Sequence, residues 1–316
     1  MRSDTGSHGG FEKRGLLSVL PELVSYVPDL KHPPKNIAFI CEPRENDGIG
    51  GKAKGLFFAA HLQERGVKLA GEYSDLVKIP KTFIIPTSTF DDFTEYNDIN
   101  VRMKGRDYEE TQRIFLEAEF PDYAHDNFVK FLSAAKKPRP LTTRSTTLQE
   151  DSLKHAFAGL FLTLFIPNNG SVKKRLEEFE TAVKLVYAST FNPNAVAYRE
   201  KHGLKTDEDK MAVVVQKIVG EQHGDYYYPF VAGVAFSRNE YPWSSRVKIE
   251  EGVVRVVYGL GTRAVGREHA RRFVPSNPGI RPEGGEPKAV MKYAQERFDA
   301  LNMTTGGFET RYFNDF

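Results

Sequence analysis

Residues 143–170 read TRSTTLQEDSLKHAFAGLFLTLFIPNNG, and two kinds of chemistry meet in them. The first part gathers Arg144, the hydroxyls of Ser145, Thr146 and Thr147, and the carboxylates of Glu150 and Asp151. A guanidinium presents a planar fork of donors that matches two phosphate oxygens at once, which an ammonium cannot do. The same residues also make a capped surface turn in which Arg144 pairs with Glu150 or Asp151. The chemistry of the segment leaves both readings open. Phe157-Ala158-Gly159 then opens a β-rich run to Ile166, read as a strand.

Upstream, residues 48–55 read GIGGKAKG and stand just before a helical pattern. Backbone amides freed of side chains can approach an anion, and a helix N-terminus adds a favourable dipole. This is not a Walker A loop, because Asn46 stands where its first glycine belongs and Ala53 where Ser or Thr would meet magnesium. Taken alone, the segment reads better as a flexible turn capping a helix, with a solvated Lys52, and the phosphate reading needs support from elsewhere in the chain.

The chain around these two segments mixes strands and helices. Strands are expected at 37–41, 77–86, 157–166, 211–219 and 229–237, and a hairpin of 247–249 with 253–258 around Glu250-Glu251-Gly252. Helices are expected at 16–26, from Lys52 to a stop at Gly66, and at 88–96, 109–119, 124–135, 171–190 and 286–302. In 171–190, Leu176, Phe179, Val183 and Val186 recur at helical spacing, the clearest such pattern in the chain. The fold class is therefore α+β, with α/β mixed.

Composition narrows function mainly by exclusion. Hydrophobic residues at 40% and charged ones at 27% are the balance of a globular protein. With 44 basic against 42 acidic side chains, net +2, no electrostatic footprint for nucleic acid or an anionic membrane exists. No apolar run is long enough for a transmembrane helix. One cysteine, Cys41, permits no intrachain disulfide and fits a reducing cytoplasm, where it reads as a small buried hydrophobe. No short His/Cys/Asp cluster suggests a metal site.

Set side by side, the motifs resemble those of the pyruvate phosphate dikinase and phosphoenolpyruvate synthase family, in its ATP-binding domain. The spacing from Arg144 through Glu150-Asp151 to Phe157-Ala158-Gly159 matches the family's phosphate-binding segment without a gap. GGKAKGL resembles its GGK motif, and KIPKTFIIPTSTFDDF its V-P-x-G-F stretch. Ala197-Tyr198-Arg199, then MAVVVQKIV, VAGVAFSRN and YGLGTRAVG, follow in family order to about Gly266. Thr262 departs from the pattern, standing where many members have Glu.

The resemblance implies an ATP-grasp fold closing on ATP and magnesium. It implies phosphate contacts from Lys52, Arg144 and Arg199, with Arg144 the residue closest to catalysis. Gln216 would lie beside the nucleotide, and Gly259 to Gly261 would form a second glycine-rich wall. It also implies transfer of phosphate to a histidine on another domain and on to pyruvate, giving phosphoenolpyruvate through domains outside this chain. The eight histidines of this sequence sit outside the family's G-G-x-T-S-H-A context. The expected organisation is an extension at 1–36, the first part of the nucleotide domain at 37–232 and an incomplete second lobe at 233–316. Because nothing after Gly266 resembles the family's D-I-E-W and L-x-Q-x-R-P strands, the domain is expected to be cut short and inactive alone. A nucleotide-sensing or scaffolding module of the same fold is the rival reading.

Overall fold

The computed structural model describes residues 26–67, 71–147, 161–204, 210–265 and 270–315. The fold mixes α and β elements in two compact units, Met1–Lys217 and Ile218–Phe316. The division falls ahead of the 232/233 boundary read from the sequence. The strands Glu221–His223 and Tyr226–Tyr228 pair with each other, and the second also pairs with Arg297–Asn302, which ties them to the C-terminal unit. The helix expected at 16–26 and the Phe157-Ala158-Gly159 run lie outside the described residues, 26 and 161–166 excepted. Among the described residues, no helix is long and apolar enough to cross a membrane.

Unit 1 is built on a five-stranded sheet of β1 (Ile37–Phe39), β2 (Thr82–Ile85), β3 (Leu141–Thr147), β4 (Thr163–Ile166) and β5 (Met211–Lys217). The order is β1-β2-β5-β3-β4, with β1 and β2 parallel and the other neighbours antiparallel. Central β5 is buried from Met211 to Gln216, which is why its sequence is a continuous apolar run rather than an alternation. Two cores cover its two faces. Met211, Val213 and Val215 point into the larger one, with Leu141 of β3, Ile85 of β2 and the helix α6 (Val172–Ala188). Val214 points the other way, to Ile84 and the helix α1 (Gly50–Glu64) with its Ala53 and Phe57.

The remaining helices of unit 1 are α2 (Thr87–Tyr96), α3 (Ile99–Arg102), α4 (Tyr108–Glu117), α5 (Asp122–Ser133) and α7 (Pro193–Lys201). They close the larger core around Phe93, Phe115, Phe128, Phe179 and Tyr187, all fully buried. Helix α6 starts where Ser171 accepts a hydrogen bond from the Lys174 amide at 3.2 Å, the expected N-cap chemistry. Helix α1 stops before Gly66, whose φ of 75° a side chain would disfavour.

Unit 2 holds a three-stranded sheet of β8 (Ala232–Phe236), β9 (Val253–Val257) and β10 (Arg271–Phe273), in the order β10-β9-β8. Its second sheet runs β12-β11-β7-β6, from β6 (Glu221–His223), β7 (Tyr226–Tyr228), β11 (Arg297–Asn302) and β12 (Phe308–Tyr312). Two readings are corrected in this unit. The expected hairpin around Glu250-Glu251-Gly252 is a 3-10 turn at Ile249–Glu251, and β9 pairs with β8 and β10 instead. The tail is helical only in α8 (Pro287–Lys292), after which β11 and β12 form an antiparallel pair.

Candidate functional site

The glycine segment is held at both ends. Asp47 Oδ1 accepts from the Gly48 amide at 2.9 Å, the Thr87 hydroxyl at 2.8 Å and the Ser88 amide at 2.9 Å. Its Oδ2 accepts from the Ser88 hydroxyl at 2.5 Å, so one carboxylate ties the loop to the first turn of α2. On the other side, the Thr146 hydroxyl of β3 donates to the Ile49 carbonyl at 3.2 Å and accepts from the Ala53 amide at 3.5 Å. Gly50 has φ 73°, and a Cβ there would lie 2.2 Å from the Thr146 carbonyl oxygen. Only glycine lets the start of α1 approach the strand this closely.

This docking exposes how the start of α1 is built. Ile49 gives α1 no side-chain cap, and no acidic residue stands in its first turn. Lys52 stands there instead, its ammonium nitrogen shielded from solvent.

Strand register puts the other residues in relation to it. Thr142, Arg144 and Thr146 of β3 oppose Gln216, Val214 and Ala212 of β5, so all share the face that α1 covers. Arg144 is one alternate position along from Thr146, about 7 Å in an extended strand. It is partly exposed. Gln216 is its diagonal cross-strand neighbour and donates to the Thr82 hydroxyl at 2.8 Å. Arg144 and Gln216 therefore share the face covered by α1, the helix that carries Lys52. Arg199 is not among them: it is fully buried on α7, whose Ala195 and Tyr198 belong to the larger core, and it donates to the Thr190 carbonyl. Glu150 and Asp151 lie outside the described residues.

In unit 2, Gly259 and Gly261 flank Leu260 after β9. Gly259 has φ 85°, and a Cβ there would lie 2.7 Å from the Asp299 carbonyl oxygen, so this glycine too permits a close approach. The Leu260 amide donates to that carbonyl at 2.8 Å. Asp299 itself, 3% exposed, is the acidic group at this loop. Its Oδ2 accepts from the Thr262 hydroxyl at 2.6 Å, and its Oδ1 from Arg263 and the Thr310 hydroxyl, both at 2.8 Å. A carboxylate thus stands against position 262, where the sequence has threonine.

Sequence reasoning missed Asp47, Thr146 and Asp299. Thr146 was noted only as a hydroxyl for phosphate, and Asp299 lay in a segment read as helix. Cys41 is fully buried, and burial pushes its thiol pKa up to about 11.

A loop of glycines and a lysine opening a helix, beside an arginine-bearing strand, is an arrangement for binding phosphate. The model of the pyruvate phosphate dikinase AMP/ATP-binding domain matches residues 46–305. The chain belongs to that family. The match runs from the loop before α1 through β11, past the last motif read from the sequence at about Gly266.

Two curated relatives agree with the family at low identity. Over 188 residues the chain is 27% identical to the uncharacterized phosphotransferase YvkC of Bacillus subtilis, covering 59% of this chain and 20% of that protein. Over 232 residues it is 26% identical to the phosphoenolpyruvate synthase of Deinococcus radiodurans, covering 68% of this chain and 27% of that protein. The chain thus spans only about a fifth to a quarter of these relatives.

The family's domain is an AMP/ATP-binding one, and the α1 face carries groups suited to phosphate. The helix start is uncapped, and a cation and an arginine stand beside it. Among the described residues no group of three or more His, Cys, Asp or Glu is placed to hold a metal ion, and both Asp299 oxygens already accept hydrogen bonds.

Proposed function

We propose that this domain binds ATP with its phosphates at the start of α1 and energises a phosphotransferase of the phosphoenolpyruvate synthase type. The observation that carries this is the docking of Gly50 on Thr146, which holds the uncapped first turn of α1 and Lys52 beside the strand that bears Arg144. Lys52 and the amides of the first turn neutralise the phosphates, and Arg144 forks across two oxygens. Phosphoryl transfer depends mainly on such positioning and charge neutralisation, so it needs cations and backbone amides more than a nucleophile from this chain. Gln216 lies beside the nucleotide, and Arg199 acts by holding α7 to Thr190. The phosphate passes to a histidine of another domain and then to pyruvate, and the protein works in the cytoplasm.

The test uses the intact protein, with ATP labelled at its β or γ phosphate. Acid-labile, base-stable label on the protein is the expected result. Arg144→Lys should abolish it with the melting temperature nearly unchanged, because lysine keeps the charge and loses the fork. Undiminished labelling in that variant would sink the assignment.

A second reading, a nucleotide sensor without transfer, is favoured by one observation. The carboxylate nearest the unit 2 loop is neutralised internally by Arg263, at 2.8 Å, with both side chains largely buried. ATP binding by the intact protein with no label transferred under any condition would decide for the sensor.

A further inference from the structure

Unit 1 has a second basic concavity, on the sheet face turned away from Lys52 and Arg144. It is a half-open cavity of about 400 Å³ between the sheet and α5, with Phe83 and Phe131 in its wall. Register settles which face this is. Lys217 and Leu141, which both line the cavity, oppose each other and lie on the side of Val215, in the larger core, whereas Gln216 and Arg144 lie on the other.

Three features of this cavity point to a ligand. Lys81, Lys130, Arg139 and Lys217 line it together, with no acidic residue among the lining residues. Among the described residues none of the four cations is in an ion pair. Four like charges round one concave surface repel each other and concentrate anions there. Secondly, the Phe83 and Phe131 rings meet edge to face at 4.7 Å, and Lys81 stands over Phe83 at 5.4 Å, which leaves an aromatic wall beneath the charges. Thirdly, Asn168 lines the cavity at 4% exposure. Its amide nitrogen is fixed by a 2.9 Å bond to the Arg139 carbonyl, while its Oδ1 is buried with no hydrogen-bond partner. A buried acceptor left without a donor is destabilising, and a ligand N–H or O–H would satisfy it.

We propose that this cavity is a second ligand site, for a small phosphate monoester that carries a planar ring and a hydrogen-bond donor. The phosphate meets the four cations at the rim, the ring lies against Phe83 and Phe131, and the donor reaches Asn168 Oδ1. The volume lies within the usual range for small-molecule pockets, and the half-enclosed shape suits such a molecule better than an extended polyanion.

Calorimetric titration of the chain with 4-aminophenyl phosphate, phenyl phosphate and 4-aminophenol tests this. The expected result is saturable one-to-one binding of 4-aminophenyl phosphate, weaker binding of phenyl phosphate, and none of the phosphate-free 4-aminophenol. Lys130→Glu with Arg139→Glu should raise the Kd for 4-aminophenyl phosphate at least about tenfold, because each lost charge-assisted contact is worth about that factor. Both side chains are exposed, and an unchanged melting temperature will show that the variant folds. Asn168→Gly, which keeps the positive φ, should erase the advantage of the amino ester over phenyl phosphate. Arg144→Ala should leave binding intact. The proposal is overturned by absence of saturable binding, by equal affinity in the charge-reversed variant, or by loss of binding in Arg144→Ala.

Discussion

Gly50→Ala is the perturbation whose size the structure fixes best. Gly50 sits at φ 73°, where a side chain costs about 1–2 kcal/mol. The new Cβ would also lie 2.2 Å from both the carbonyl and hydroxyl oxygens of Thr146. Neither can yield in place, because one is backbone and the other is bonded to Ile49 and Ala53. The start of α1 must lift off β3, losing those two hydrogen bonds at about 0.5–1.5 kcal/mol each. The sum is about 2–5 kcal/mol, which for a domain of this size lowers Tm by about 5–20 °C. Gly55→Ala in the same helix is the control. A Cβ there meets nothing within 4 Å, so it should stabilise by about 0.5–1 kcal/mol. Thermal melts and urea titrations of both variants give the two signs. A Gly50→Ala protein as stable as the parent would refute the docking of the glycine loop on Thr146, and with it the geometry of the proposed phosphate site.

Three further outcomes are expected. Asp299→Ala strips both the Thr262 and Arg263 contacts from a buried ion pair and should destabilise unit 2 by about 3–5 kcal/mol, read as faster hydrogen exchange across β11 and β12; unchanged exchange would contradict the network. Cys41, with its thiol pKa raised by burial from 9.0 to about 11, should resist iodoacetamide at pH 8 in the folded protein and react fully in denaturant. Since the unfolded thiol ionises first, its contribution to stability is present below pH 9 and fades as pH rises towards 11, so Cys41→Ala should flatten the fall in Tm over that window.

Much of unit 1 was legible because its helices are amphipathic and its central strand is uniformly apolar. Helix α6 and strand β5 fall where periodicity put them. β3 was hidden by its composition. LTTRSTT reads as a polar turn, yet Thr143, Ser145, Thr146 and Thr147 are buried, since the strand is flanked by β4 and β5 and covered on both faces. β11 was masked by local propensity: QERFDALNM suits a helix, and pairing with β7 and β12 overrides it. The relation of Lys52, Arg144 and Gln216 was accessible only through motif order. Asp47, Thr146 and Asp299 gave no signal, because each acts on residues remote in sequence. Asp47 reaches 40 positions to Thr87, Thr146 reaches 97 to Ile49 and Asp299 reaches 37 to Thr262. Chemistry made by such contacts has no local pattern to read.

The central claim, that ATP lies with its phosphates between the first turn of α1 and Arg144, is tested most directly by equilibrium ATP titration of the parent chain and of Lys52→Ala and Arg144→Ala. Both positions are only partly buried, so both variants should melt near the parent temperature. Each lost charge-assisted contact to phosphate, at about 1.5–3 kcal/mol, should weaken ATP by roughly 10- to 150-fold. Parent-like affinity in both folded variants would contradict the account and put the nucleotide on another surface.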